Sequence, residues 1–221
     1  LWLKQLMLAN KIKIGVIKIY LDSENKEFNQ SDFAKQSFRE DNFSGFNFNN
    51  CSFKAAHLEE IKTEKTIFIE CDFSGARLNA SQHINSTFLN CNFSGASFFS
   101  AIFKECRLIG ADLINTDLTA FKILGGDWSY VNFSHSELNN FNFSDVKLIE
   151  SDFYAAQLKK TKFKNANLSR AKLTTANLTG ADLREANLSE VDFTGVNFKN
   201  VKIDLFQAGI IMESMGAILD Y

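Results

Sequence analysis

From Phe28 to Ile203 a large apolar residue stands at every fifth position, with two lapses, Thr63 and His83, and no slip of frame. Such a period fits neither the 3.6-residue repeat of a helix nor the two-residue alternation of an ordinary strand, whereas fixed internal repeats mark chains that wind into solenoids. Two residues before each centre stands a small one, as in Ala176-Asn177-Leu178 and Cys91-Asn92-Phe93. That spacing places both on the inward side of strand-like backbone. The other three positions read as solvent-facing: Asp, Asn, Lys or Arg before the centre, Ser, Thr or Lys after it, and then often glycine, as at Gly45, Gly75, Gly95, Gly110, Gly125, Gly180 and Gly195. Glycine at one fixed phase points to a turn that repeatedly takes positive φ. The expected class is an all-β solenoid.

The units Ala-Asn-Leu-Thr-Gly, Ala-Asp-Leu-Arg-Glu and Ala-Asn-Leu-Ser-Glu, from Ala176 to Glu190, resemble those of the pentapeptide-repeat family. The resemblance implies a right-handed, quadrilateral β-helix in which four units make one coil. Residues four units apart would then stack at about the 4.8 Å strand spacing, giving about nine coils and a rod roughly 43 Å long. The column from Phe33 through Phe53, Phe73 and Phe93 to Phe193 is filled without exception, as is the one from Phe28 to Leu188. Both lapses fall in a single column, between Phe43 and Phe103. Either an irregular or bulged side of the rod or a tolerated polar core position accounts for Thr63 and His83. On both readings residues 59–67 and 79–87 are expected to be the least regular part.

With 221 residues, 45% of them hydrophobic, and no proline, the chain can bury a core as one elongated domain. Its expected parts are a cap at 1–27, the repeat rod at 28–203 and a C-terminal helix at 204–221. The formal net charge is −2; Lys4, Lys11, Lys13, Lys18 and Lys26 against Asp22, Glu24 and Glu27 give the segment 1–30 a charge of +2, leaving −4 for the rest. Generic nucleic-acid binding, which needs a cationic footprint, is disfavoured. Cys51, Cys71 and Cys91 share the small inward phase at successive rungs of one column, and Cys106 has that phase in another column. A metal or disulfide ladder is one reading; cysteine as a small buried hydrophobe, with no CxxC or histidine partner, is the stronger one. Free thiols imply the cytoplasm. No transmembrane span is expected, and the opening Leu1 to Ala9 is short for a signal sequence.

A solenoid exposes unpaired backbone at its ends, so terminal segments are expected to cap it. Residues 11–21 alternate apolar and polar, reading as a strand or bulged hairpin, while 1–10 fits a short helix or a leader. After Ile203 the five-residue period stops, and apolar residues fall at helical spacing: Phe206, Ile210 and Met215, with Ile211, Ile218 and Leu219 beside them. That is more apolar surface than one cap needs. A homodimer through this helix explains the excess; a monomer with a simple cap is the alternative.

The run Val201 to Ala208, followed by Met212-Glu213 and Gly216, resembles the C-terminus of Qnr-type proteins, and Gly126-Asp127-Trp128 with Val131-Asn132-Phe133 is similar to a mid-rod motif of that subgroup. The resemblance implies a rod-shaped dimer that imitates duplex DNA, binds DNA gyrase and topoisomerase IV, and protects them from quinolones. Such relatives often carry two projecting loops, but the unbroken frame here leaves room only for insertions in multiples of five. Among residues just before each centre, one column reads Asp32, Ser52, Asp72, Asn92, Asp112, Asn132, Asp152, Lys172, Asp192, and the opposing one reads Asn42, Lys62, Gln82, Ile102, Lys122, Asn142, Lys162, Asp182, Lys202. The Asp column is the side expected to meet a cationic topoisomerase surface. Asp and Asn also suit this phase because they bond neighbouring backbone. No clustered acid, base or metal set accompanies His57, His83 or His135, so neither enzymatic activity nor a cofactor is expected. A scaffold for another protein partner is the alternative function.

Overall fold

The computed structural model describes residues 26–220; the expected strand or hairpin at 11–21 and the segment 1–10 lie outside the described residues. Strands β1 (Glu27–Asn29), β3 (Asn47–Asn49), β5 (Ile67–Ile69) and β7 (Thr87–Leu89) form one parallel sheet. A second contains β2 (Asn42–Ser44), β4 (Lys62–Glu64), β6 (Gln82–Ile84), β8 (Ile102–Lys104) and β9 (Lys122–Leu124). Within each sheet successive strands lie four repeat units apart and pair in parallel, Phe28 opposite Phe48 and Phe43 opposite Thr63. The same step continues as single parallel pairings down to Asp182 with Lys202. The fold is an all-β parallel solenoid followed by one helix among the described residues, α1 (Leu205–Ser214).

Backbone pairing dictates the core. The rings of Phe48 and Phe68 stack at 4.9 Å, those of Phe53 and Phe73 at 4.8 Å, and those of Phe73 and Phe93 at 4.8 Å. These match the spacing of paired strands, so the ladder sets the ring separation and the rings stack offset within it. The recurrent corner does take positive φ, at Gly45 (71°) and Gly180 (72°), and also at the same phase without glycine, at Glu60 (60°), Ala155 (54°) and Arg170 (57°). Left-handed backbone costs an L-residue about 1–2 kcal/mol. Inter-coil hydrogen bonds made by these same residues, such as Glu60 N–H to Asn79 O at 2.8 Å, offset it.

Corners come in two kinds. In most units the amide three residues after the centre returns to the centre's carbonyl, as from Ala56 to Phe53 at 2.9 Å and from Ala176 to Leu173 at 2.8 Å. The nine described strand units do not close in this way. Instead, after seven of the nine, a small inward hydroxyl or thiol donates to the carbonyl two residues back: Ser31, Cys51, Thr66, Cys71, Ser86, Cys91 and Cys106, with Phe46 and Gly126 the exceptions. All four cysteines sit in this role. Burial pushes the Cys106 thiol up to about 12, and the neighbouring Cys71 thiol together with burial raises Cys51. The Cys51 and Cys106 thiols therefore stay uncharged at neutral pH and serve as hydrogen-bond donors.

The expected irregular side at Thr63 and His83 is corrected by the structure. Both residues occupy regular strands, β4 and β6, and both are buried. His83 Nδ1 lies 2.8 Å from Thr63 Oγ1 and its Nε2 2.9 Å from Ser81 Oγ, while Thr63 Oγ1 donates to Ser86 Oγ at 2.9 Å. Satisfied polar groups are tolerated in a core, so nothing forces the chain to bulge. Being smaller than Phe, the two residues leave a narrow cavity bordered by Phe43, Phe53, Phe68 and Phe88.

Irregularity lies elsewhere. Among the described residues, pairing down each column lapses only between the turns at 117–122 and 137–142: Asp117 does not pair with Glu137, nor Lys122 with Asn142, while Asp112 still pairs with Asn132 and Asp127 with Lys147. Phe121 and Phe141 here fill two successive rungs of a slot that holds a small residue in most other units, and their ring centroids lie 6.1 Å apart. Bulk in two facing slots props the turns apart on these two sides.

At the C-terminus Asp204 caps α1, its Oδ1 accepting from Phe206 N at 3.0 Å and Gln207 N at 3.3 Å, while Gln207 Oε1 accepts from Asp204 N at 3.2 Å. This reciprocal box also ties the helix to the rod, because Gln207 Nε2 donates to Ala186 O at 3.1 Å and Asp204 Oδ2 accepts from Glu185 N at 2.9 Å. Those bonds fix the helix rotation and turn Ile211 inward with Gln207. Ile211 is buried in the rod's own core, which corrects its expected place in a dimer interface.

Candidate functional site

The Asp column is continuous. Parallel pairings link Asp32 to Ser52, Asp72, Asn92, Asp112, Asn132, Asp152, Lys172 and Asp192 without a gap. In each aspartate Oδ1 accepts the amide two residues on: Ala34 at 2.9 Å, Ser74 at 2.8 Å, Ile114 at 3.1 Å, Tyr154 at 2.7 Å and Thr194 at 2.9 Å. The same bond recurs at Asn92 and Asn132 and at Asp117 and Asn177 on other sides. Carboxylate at this phase therefore has a local structural cause, and what distinguishes the column is the charge left over. Among the described residues Asp32, Asp72 and Asp112 have no ion pair, whereas Lys172 Nζ stands 3.4 Å from Asp152 Oδ2. Hydrogen bonds from Thr194 hold the Asp192 carboxyl below the usual range.

The opposing column carries Lys62, Lys122, Lys162 and Lys202, and its one carboxylate, Asp182, is taken by Arg184 at 2.7 Å. The Arg184 hydrogen bond also lowers the Asp182 pKa. Thr63 and His83 are interior and contribute nothing to either side. Of the residues expected in a dimer face, Phe206, Met215 and Ile218 are exposed, Ile210 and Leu219 are half-buried, and Ile211 is withdrawn into the rod.

Sequence reasoning missed several outward groups. Leu205 (90% exposed) and Met212 extend the apolar face of α1. Tyr154 stands on the Asp side, Tyr130 at the turn that leads into it from the preceding side, and Phe99 on the next side. The available signal was aromatic residues off the five-residue frame, where burial cannot explain them.

A family model described as Pentapeptide repeats (8 copies) matches residues 161–200, and one described as Pentapeptide repeat region matches residues 96–173. No curated protein sequence matches the chain significantly. Among solved structures, two trypsin-treated variants of QnrB1, described as a plasmid-mediated fluoroquinolone resistance protein, are similar with TM-scores of 0.77 and 0.65 and identities of 23% and 25%. Each alignment covers 88% of this chain and 97% of that one. HetL, a pentapeptide repeat protein involved in heterocyst differentiation regulation from the cyanobacterium Nostoc sp., is similar with a TM-score of 0.59 and 22% identity over 86% of this chain and 97% of its own. No described helix is long and apolar enough to cross a membrane.

Proposed function

This chain is a pentapeptide-repeat protein, and on that premise we propose that it binds DNA gyrase, and topoisomerase IV by the same surface, as a mimic of duplex DNA that protects the enzyme from quinolones. The rod is read as a right-handed, quadrilateral helix of about nine coils over residues 28–203, acting in the cytoplasm. One observation carries the reading: a rod with the fold of QnrB1 presents an unbroken column whose first three carboxylates, Asp32, Asp72 and Asp112, face no cation among the described residues. Two strand spacings, about 10 Å, separate successive aspartates, and at that distance in water repulsion is only about 0.4 kcal/mol per pair. The column is thus stable without a bound partner and attractive to a cationic one.

Changing Asp72, Asp112 and Asp152 together to Asn keeps every backbone bond that Oδ1 accepts and removes the three charges, together with the Lys172 contact to Asp152. Protection of gyrase supercoiling against a quinolone is expected to fall about tenfold or more in effective concentration, as for loss of steering charges. Unchanged protection would exclude the acidic side as the contact.

The exposed face of α1 is proposed as the homodimer contact, with Leu205, Phe206, Met212, Met215 and Ile218 in place of the buried Ile211. Phe206→Asp is expected to convert a dimer into a monomer in light scattering at micromolar concentration, and a dimer that persists unchanged would remove α1 from the interface. A second reading, a scaffold for another protein, draws on the likeness to HetL, in which the same fold serves a differently described role. Full quinolone sensitivity of gyrase in the presence of the intact protein would favour it.

A further inference from the structure

The Asp side divides into two unlike stretches, and the division addresses a problem that a repetitive surface has. An evenly acidic column looks the same after each shift of two coils, so charge alone cannot fix where along it a partner sits. Asp32, Asp72 and Asp112 form such an even stretch. Beyond it the side chains pair with one another: Arg170 reaches Glu150 Oε1 through Nε at 2.9 Å and NH2 at 2.7 Å, and Lys172 reaches Asp152 at 3.4 Å. Two exposed tyrosines stand in this charge-compensated region, Tyr130 at 52% and Tyr154 at 37% exposure.

Both tyrosines are already held in place. The Tyr130 hydroxyl donates to Glu150 Oε1 at 3.3 Å. The Tyr154 ring carries the Lys172 ammonium 4.9 Å from its centroid and meets the His135 ring at 5.3 Å and 81°. Beside them the pairings from Asp112 through Asn132 to Asp152 are intact, while the adjoining column lapses between Asp117 and Glu137. Large side chains that are ordered before binding lose little freedom on binding, and tyrosine and arginine are the residue types that most often dominate interface energy.

We propose that Tyr130 and Tyr154, braced by Arg170 and Lys172, are the anchor that fixes register and orientation on a cationic protein partner, while Asp32, Asp72 and Asp112 steer the encounter. The proposal rests on the topoisomerase reading above for the identity of the partner. Anchor residues act after contact and govern dissociation; steering charges act before it and govern association and its salt dependence.

The test is surface-binding kinetics of the full chain on immobilised DNA gyrase at two salt concentrations. Tyr130→Ser with Tyr154→Ser is expected to raise the dissociation rate about tenfold or more while leaving the association rate within about twofold. The Asp32, Asp72 and Asp112 to Asn triple variant is expected to do the reverse, slowing association and flattening its salt dependence. Phe99→Ser, which removes an exposed aromatic from the neighbouring side, serves as control and should change neither rate. Binding by the intact protein with an unaltered dissociation rate in the double tyrosine variant overturns the anchor and leaves the topoisomerase reading standing. No binding by the intact protein overturns both.

Discussion

Replacing Gly126 by alanine is expected to lower the thermal midpoint of the protein by about 10 °C, the largest effect of any single methyl group in the rod. Gly126 occupies a small inward slot at φ +96°, and a Cβ there would lie 2.1 Å from the carbonyl oxygen of Cys106 and 2.9 Å from its amide nitrogen. Both are backbone atoms of the preceding turn, held by the bond from Asp127 N to Cys106 O at 3.0 Å, and neither can swing aside. Relief requires parting the turns where they are already parted on two sides. A backbone conformation unavailable to alanine adds about 1–3 kcal/mol to the clash. The neighbouring Gly125 is the control. Its Cβ would meet the end of the Glu105 side chain at 2.5 Å, which can rotate away, and its φ of +75° resembles that of the many non-glycine corners. Gly125→Ala is expected to shift stability by no more than about 1 kcal/mol. Equal melting of the two variants in a calorimetric scan would refute the close approach at Cys106.

The second large effect concerns acid. Burial holds the His83 imidazole neutral in the folded rod, its pKa pushed down to about 3, while in the unfolded chain it titrates near 6.5. Above pH 6.5 both states carry a neutral ring, and His83 leaves stability independent of pH. As pH falls below 6.5 the unfolded state takes up a proton that the folded state refuses, so stability drops with falling pH until the folded-state pKa is reached. Between pH 6.5 and pH 4 the loss is about 3 kcal/mol. The carboxylates held below their usual range, Asp117, Asp127, Asp182, Asp192 and Asp204, lose their contributions only at lower pH, where carboxyl groups protonate. Urea midpoints from pH 7 to pH 4.5 therefore leave these carboxylates out of the comparison, and a variant singles out His83. The variant His83→Phe with Ser81→Ala restores a ring between Phe43 and Phe103 and removes the hydroxyl that would lose its partner. Its midpoint is expected to be nearly flat over this range, and an equally steep decline in the variant would rule out His83 as the cause.

Much of this molecule is legible from spacing. The five-residue frame announces winding, and the match of residues four units apart, Phe28 with Phe48 and Asp32 with Ser52, is what the backbone pairs. The turn signalled by Gly45 and Gly180 is there as well. What the frame conceals is chemical. Thr63 and His83 read as a fault in the wall when their polarity is compared with the apolar column alone, whereas Ser81 and Ser86, one slot away, supply hydrogen-bond partners that make the pair a satisfied interior. The two kinds of corner are visible in outline, since every cysteine follows a strand unit, but Thr116 and Thr161 follow closed turns and blur that signal. Ile211 looks like Phe206 and Met215 in helical spacing; only the Asp204 and Gln207 bonds decide which face turns inward. On the surface the Asp column is readable, but its neutralisation by Lys172 and the tyrosines beside it depend on neighbours one coil away.

The lapse at 117–142 has a thermodynamic meaning. In a solenoid each turn touches only its neighbours, so stability is a sum of each turn's own contribution and the coupling across each junction. At this junction two of the pairing columns are missing while two persist. Coupling is weakest there, and the rod divides into an upper and a lower block that can lose order separately. The Asp72 and Asp112 charges belong to one block and Tyr154 to the other, so whatever binds both clamps the seam and makes the two blocks melt as one.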